Sequence, residues 1–133
     1  MRELCKVLHV DDDDDIRMIA RMALEVVGSL DVHQCASGPQ AIADAAAFAP
    51  DLFLLDYMMP EMSGEDTLRA LRKIPGLEHV PAIFMTARVQ PDIAKALLDD
   101  GALAVIPKPF DPMELGTQLH AAWQSQQVVR LRA

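Results

Sequence analysis

Five consecutive aspartates, Asp11–Asp15, stand directly after the apolar run Val7-Leu8-His9-Val10. A sixth, Asp56, follows another apolar run, Leu52-Phe53-Leu54-Leu55, while Thr86 ends Ile83-Phe84-Met85 and Lys108 follows Ile106-Pro107. An acid pair, a lone acid, a hydroxyl and an ammonium each sit at the end of an apolar segment. Two like charges ~4 Å apart repel by about 4 kcal/mol at an effective dielectric near 20. Three carboxylates brought together would therefore raise one another's pKa or recruit a cation. Oxygen donors suit a hard ion, and Mg²⁺ takes carboxylates together with water and phosphate oxygens. Asp11, Asp12, Asp56, one divalent ion and Lys108 sum to zero charge. An incoming phosphoryl group would meet a neutral site with donors for its oxygens. One carboxylate would be the nucleophile, because aspartyl phosphate is an established covalent intermediate. Positioning and charge neutralisation are most of what phosphoryl transfer requires.

Such convergence depends on the elements between these residues. Strand-like and helix-like segments alternate five times. Cys5–Val10 reads as a strand buried on both faces. Over Asp14–Val27, Ile16, Ile19, Ala20, Ala23, Val26 and Val27 recur at helical spacing, with Gly28 as the stop. Leu30–Cys35, Asp51–Leu55, Val80–Met85 and Leu103–Ile106 are the remaining predicted strands. Predicted helices run from Pro39 to Phe48, through Leu68 and Leu71 to Pro75-Gly76, and over Pro91–Asp99. A last helix starts near Asp111-Pro112 and buries Leu115, Leu119, Ala122 and Trp123. This alternation argues for a parallel sheet covered by helices on both faces. Ligands of such sheets bind beyond the carboxyl ends of the strands, where all five candidate residues fall.

Composition narrows the classes. The 133 residues suffice for one domain, and 51% apolar with 24% charged residues describes a folded chain. Twelve Lys and Arg against twenty Asp and Glu give a net charge of −8, which disfavours direct binding to nucleic acid or anionic lipid. No signal-peptide core or membrane-length apolar run is present, so a cytoplasmic location is expected. Cys5 and Cys35 read as free core thiols. The spacing of cysteines and histidines shows no metal-type cluster, and His9, His33, His79 and His120 receive no role. Residues 124–133 read as a tail or linker after a domain of residues 1–123.

Four stretches carry a resemblance: VLHVDDDDDIR, PDLFLLDYMMPEMSGED, VPAIFMTAR and VIPKPFDPMEL, in order from Val7 to Leu115. Thr86 follows Asp56 by thirty residues and Lys108 by fifty-two. The sequence resembles a response-regulator receiver domain of two-component signalling. That resemblance implies an α/β, flavodoxin-like, doubly wound (βα)5 sandwich, its five-stranded parallel sheet in the order 2-1-3-4-5. It implies that Asp56 is the phosphoacceptor and that Asp11 and Asp12 bind Mg²⁺ (or Mn²⁺), one of them through water. The Met58 backbone carbonyl completes the metal shell. Thr86 is the switch hydroxyl, Lys108 pairs with the acceptor and then with the phosphoryl oxygens, and Lys108-Pro109 is a cis candidate. Implied partners are a histidine kinase or histidine phosphotransfer protein, a downstream protein or fused output domain, and a second copy in a phosphorylation-dependent dimer. The domain is a signalling switch rather than a turnover enzyme.

The pattern departs from the family at three places. Val105 occupies a position where many receivers carry an aromatic that swings inward. Met58 and Arg88 occupy positions whose side chains tune the phosphoryl lifetime. Asp13 falls where the family has an acid whose role the resemblance leaves unassigned, while Asp14 and Asp15 read as the acidic first turn of a helix. Other carboxylate motifs fail on specific residues. A calcium loop starting at Asp11 needs Gly at its sixth position and Glu at its twelfth, where Ile16 and Met22 stand. A haloacid-dehalogenase-type phosphatase would need Thr where Asp15 stands. A phosphorylation-independent binding module stays open as a rival, to be favoured by binding that Asp56→Asn leaves intact.

Overall fold

The computed structural model describes residues 3–87 and 90–132, with side chains described as far as residue 126. Five strands, β1 (Lys6–Val10), β2 (Asp31–Cys35), β3 (Leu52–Asp56), β4 (Ala82–Thr86) and β5 (Ala104–Pro107), form one sheet in the order β2-β1-β3-β4-β5. Every neighbouring pair is parallel. The helices are α1 (Asp14–Met22), α2 (Gly38–Phe48), α3 (Gly64–Leu71), α4 (Pro91–Asp99) and α5 (Leu115–Arg132). The expected doubly wound α/β sandwich is therefore the fold.

Alternation within the central strands divides the core in two. Leu52 and Leu54 of β3, with Val7, Ile83 and Met85, pack against Ala20, Leu24, Leu115 and Leu119 on the α1/α5 side. Phe53 and Leu55, with Leu8, Val10 and Phe84, pack against Ala41, Ala45, Leu68, Leu71 and Leu97 on the other side. Successive side chains of a strand point to opposite faces, so an unbroken apolar run like LFLL belongs to a strand with helices above and below it. Trp123 is buried in the α1/α5 cluster.

Local chemistry sets the helix starts. The Oδ1 atom of Asp13, whose backbone is extended, accepts the N–H groups of Asp15 at 2.9 Å and Ile16 at 3.2 Å. The hydroxyl of Ser37 accepts from Gln40 N–H and that of Ser63 from Asp66 N–H. At α5 the expected start moves. Asp111 Oδ1 does accept Met113 N–H at 2.9 Å, but regular helix begins at Leu115 after one turn.

Two further expectations change. The chain after α1 does not continue as α-helix to Val27. Residues Ala23–Val27 widen into a π turn, in which Gly28 N–H donates to Ala23 O at 3.0 Å. The added residue per turn rotates the register, so Val26 and Val27 face solvent instead of the core, and Ile19 is exposed as well. Ala20, Ala23 and Leu24 are the residues buried there. Secondly, Cys5 is exposed, and Cys35 alone is a core thiol. The backbone of α5 runs on as helix to Arg132.

Candidate functional site

The sheet register gathers the candidate residues on one edge. Val10 pairs with Leu55, so Asp11 and Asp56 emerge side by side from β1 and β3. Asp56 pairs with Met85, and Thr86 with Pro107. Thr86 thus ends β4 next to Lys108, whose N–H donates to Thr86 O at 2.9 Å. One carboxylate oxygen from each of Asp11, Asp12 and Asp56 lies within 4.8 Å of the others. Asp11 and Asp56 are buried, whereas Asp12 is exposed. The set is all-oxygen and trianionic, which fits a hard divalent ion.

Lys108 is the cation inside this group. Its Nζ donates to Asp11 Oδ2 at 2.7 Å and lies 3.2 Å from Asp56 Oδ1. Burial works to lower the Lys108 pKa, but the hydrogen bond and charge of Asp11, then the charge of Asp56, outweigh it and raise the pKa. Asp56 moves the opposite way for an acid. Burial first, then the Asp11 charge, push its carboxyl up to about 6, against the lowering pull of Lys108 and of the Met58 N–H. That N–H donates to Asp56 Oδ1 at 3.3 Å, which places the Met58 backbone beside the acceptor. The Met58 side chain is 55% exposed. A small cavity of about 180 Å³ lies beside these groups, lined by Asp56, Met58, Thr86, Ala87 and Lys108. Thr86 is buried at its inner end.

The loop from Asp56 to Gly64 is held tightly. Tyr57 N–H donates to Met85 O, and Gly64 N–H donates to Tyr57 O at 3.0 Å. A Cβ on Gly64 would come within 2.3 Å of the Asp56 carbonyl oxygen, so glycine is required by space alone. Tyr57, for which the sequence suggested no role, packs edge-on against Phe84. The Lys108-Pro109 peptide is cis, as the resemblance implied. Val105 is half-buried against the α2/α3/α4 side of the core. Arg88 lies outside the described residues.

Some supporting contacts escaped the sequence reading. Asp13 caps α1 and also donates its N–H to Asp11 Oδ1 at 2.9 Å, fixing one oxygen of that acid. The Arg17 guanidinium donates to Asp11 O at 2.8 Å and also pairs with Asp14. Gln34 Nε2 donates to Arg17 O at 2.7 Å and lies 3.0 Å from Nδ1 of the buried His9. Burial, then the positive charges of Lys108 and Arg17, lower the His9 pKa to about 3, so its ring is neutral. The expectation that cysteines and histidines form no cluster is also corrected. His33, Cys35 and Asp44 bring their donor atoms within 4.8 Å of one another. A two-residue spacing along a strand puts His33 and Cys35 on one face, and Asp44 comes from the following helix.

Comparison with known proteins yields consistent matches. The family model described as the response regulator receiver domain matches residues 7–120. The transcriptional regulatory protein CpxR of Escherichia coli is 38% identical over 128 residues, covering 92% of this chain and 53% of CpxR. A probable cyclic di-GMP phosphodiesterase of Vibrio cholerae is 32% identical over 122 residues, covering 92% of this chain but 27% of that protein. This chain therefore spans about a quarter to a half of the length of these two relatives. Among solved structures, the chemotaxis protein CheY4 of Vibrio cholerae superposes with a TM-score of 0.81 at 29% identity, covering 90% of this chain and 98% of CheY4.

Proposed function

This chain belongs to the response regulator receiver domain family, and from that membership we propose that Asp56 is its phosphoacceptor. The observation that supports this reading best is the Lys108 ammonium, 2.7 Å from one buried acid and 3.2 Å from another, at the shared edge of four strands. In the proposed reaction a phosphohistidine on a histidine kinase or histidine phosphotransfer protein approaches this edge. An Asp56 carboxylate oxygen attacks phosphorus, the P–O bond forms as the P–N bond breaks, and the departing imidazole leaves with the bond's electron pair. Lys108 is already held by Asp11, so its Nζ needs only a small displacement to follow the charge from Asp56 Oδ1 to a phosphoryl oxygen. Asp11, Asp12, Asp56 and the Met58 backbone carbonyl would hold Mg²⁺, or Mn²⁺ in its place. The ion, when bound, supplies neutralisation of the anionic phosphoryl group.

The phosphoryl group brings about −1.5 to −2 charge to the end of β3. The Thr86 hydroxyl is the nearest switch element in this reading, and its turn toward the new oxygens shifts the surface built by β4, α4, β5 and α5. Val105 stands where many relatives carry the aromatic that swings, so an aromatic-swing switch is absent or rebuilt here. That surface meets a downstream protein, an output domain in a longer chain, or a second copy. In this reading residues 1–123 are the receiver and residues 124–133 a C-terminal tail or linker. A net charge of −8 makes nucleic acid and membrane poor direct partners, and no helix among the described residues is long and apolar enough to cross a membrane. A cytoplasmic site of action follows from the kinase-dependent chemistry.

Intact-mass measurement after incubation with a small phosphodonor and Mg²⁺ tests the proposal. Wild type should gain one phosphoryl group and Asp56→Asn none. Repeated turnover of the donor at a constant rate would instead favour a small-molecule phosphatase. Partner binding unaffected by Asp56→Asn would favour a phosphorylation-independent module.

A further inference from the structure

We propose a second metal site, built by His33 and Cys35 of β2 and Asp44 of α2, that takes a borderline-soft divalent ion of the Zn²⁺ class. Asp44 Oδ2 lies 3.0 Å from His33 Nε2 and 3.8 Å from Cys35 Sγ, and all three donor atoms lie within 4.8 Å of one another. A tetrahedral ion with Zn–S of about 2.3 Å and Zn–N and Zn–O of about 2.1 Å spaces its S and O donors about 3.6 Å apart and its N and O donors about 3.4 Å. The two separations from Asp44 lie within about 0.4 Å of those values, and His33 Nε2 and Cys35 Sγ lie within 4.8 Å of each other.

The elements hold the donors in place. His33 and Cys35 alternate on one face of β2, and the His33 ring packs against Phe48, whose centroid is 5.4 Å away. Cys35 is buried, whereas the side chains of His33 and Asp44 are 41% and 36% exposed and leave a path from solvent. Three protein ligands of N, S and O type leave a fourth position for water. The thiolate excludes Mg²⁺ from this site and favours Zn²⁺ or Co²⁺, whereas the all-oxygen cluster at Asp11, Asp12 and Asp56 has the reverse preference. On binding, the Cys35 thiol passes its proton to solvent and the sulfur forms the metal bond. The ion would tie β2, an edge strand, to α2.

Co²⁺ titration of the full chain carrying Cys5→Ser, with excess Mg²⁺ present, tests the site by absorption spectroscopy. One equivalent of Co²⁺ should produce a thiolate-to-metal charge-transfer band, and Zn²⁺ should displace it. Cys35→Ala should abolish the band. His33→Gln, at a half-exposed position that does not threaten folding, should weaken Co²⁺ binding by more than the ~10–100-fold typical of losing an outer partner of a ligand. Asp11→Asn should leave the band unchanged. Absence of the band in the parent, its persistence in Cys35→Ala, or its loss in Asp11→Asn overturns the proposal and leaves His33 and Asp44 as a plain hydrogen-bonded pair.

Discussion

Asp56→Asn should stabilise the metal-free protein at neutral pH, because the acceptor carboxylate is held where charge is disfavoured. Asp56 is 5% exposed, and its carboxyl is raised from 3.8 to about 6 by burial and then by Asp11. At about 1.4 kcal/mol per pH unit, that displacement amounts to a ceiling of about 3 kcal/mol at pH 7.5. Asparagine keeps an oxygen for the Met58 N–H but loses the ion pair with Lys108 at 3.2 Å. The expected net gain is about 1–2 kcal/mol, after allowing for the weaker Lys108 contact. The sign with pH follows from proton linkage. Between pH ~4 and ~6 native Asp56 binds a proton that the unfolded chain has released, so the native wild type is relatively favoured as pH falls. The advantage of Asp56→Asn is full above pH ~6.5 and shrinks through pH 6 to 4. Urea denaturation with EDTA at pH 7.5 and pH 4.5 reads both values. A variant less stable than wild type at pH 7.5, or a gain equal at both pH values, refutes the reasoning.

Lys108→Met should have the opposite sign, destabilising the metal-free protein by about 3 kcal/mol, since removing one partner of a buried pair strands the other charges. The same variant should slow phosphoryl uptake on the order of 10²-fold in a time-resolved mass assay. Gly64→Ala sets a Cβ 2.3 Å from the Asp56 carbonyl oxygen, and the forced shift of the loop should cost about 1–3 kcal/mol by urea denaturation. Asp12→Asn, which removes one of three anionic donors at an exposed position, should weaken Mg²⁺ binding on the order of tenfold by calorimetric titration while leaving the fold intact.

How far the sequence reaches differs from residue to residue. The run Leu52–Leu55 reveals a doubly covered strand because its burial on both faces leaves no polar alternation. Its place between β1 and β4, however, comes from the resemblance and not from the run. Asp11, Asp12, Asp56 and Lys108 are legible because each ends a parallel strand, and parallel strands put their carboxyl ends on one edge. Within the five aspartates the sequence sets Asp13 apart from the acid pair and from the first helical turn, but not its capping bonds, which depend on an extended backbone at that one residue. The stripe through Val26 and Val27 misleads for a similar reason. The π turn closed by the bond from Gly28 N–H to Ala23 O turns them outward, and periodicity carries no trace of it. Gly28 and Gly116 approach so closely that a Cβ on Gly116 would lie 2.8 Å from Gly28 Cα, a contact between residues far apart in sequence. Arg17 pairs with Asp14 at a helical i,i+3 spacing that the sequence does show, whereas the approach of Asp44 to His33 and Cys35 depends on tertiary proximity.

The most direct measurement of the central claim is the position of the phosphoryl group itself. Chain phosphorylated in the presence of Mg²⁺ would be reduced with borohydride, which converts an acyl phosphate to an alcohol, and then digested for peptide mass mapping. The reduced residue should be position 56, within the peptide spanning β3 and its following loop. Reduction at Asp11, Asp12 or Asp13 in place of Asp56, or a stable phosphate on a hydroxyl or imidazole, would contradict the account.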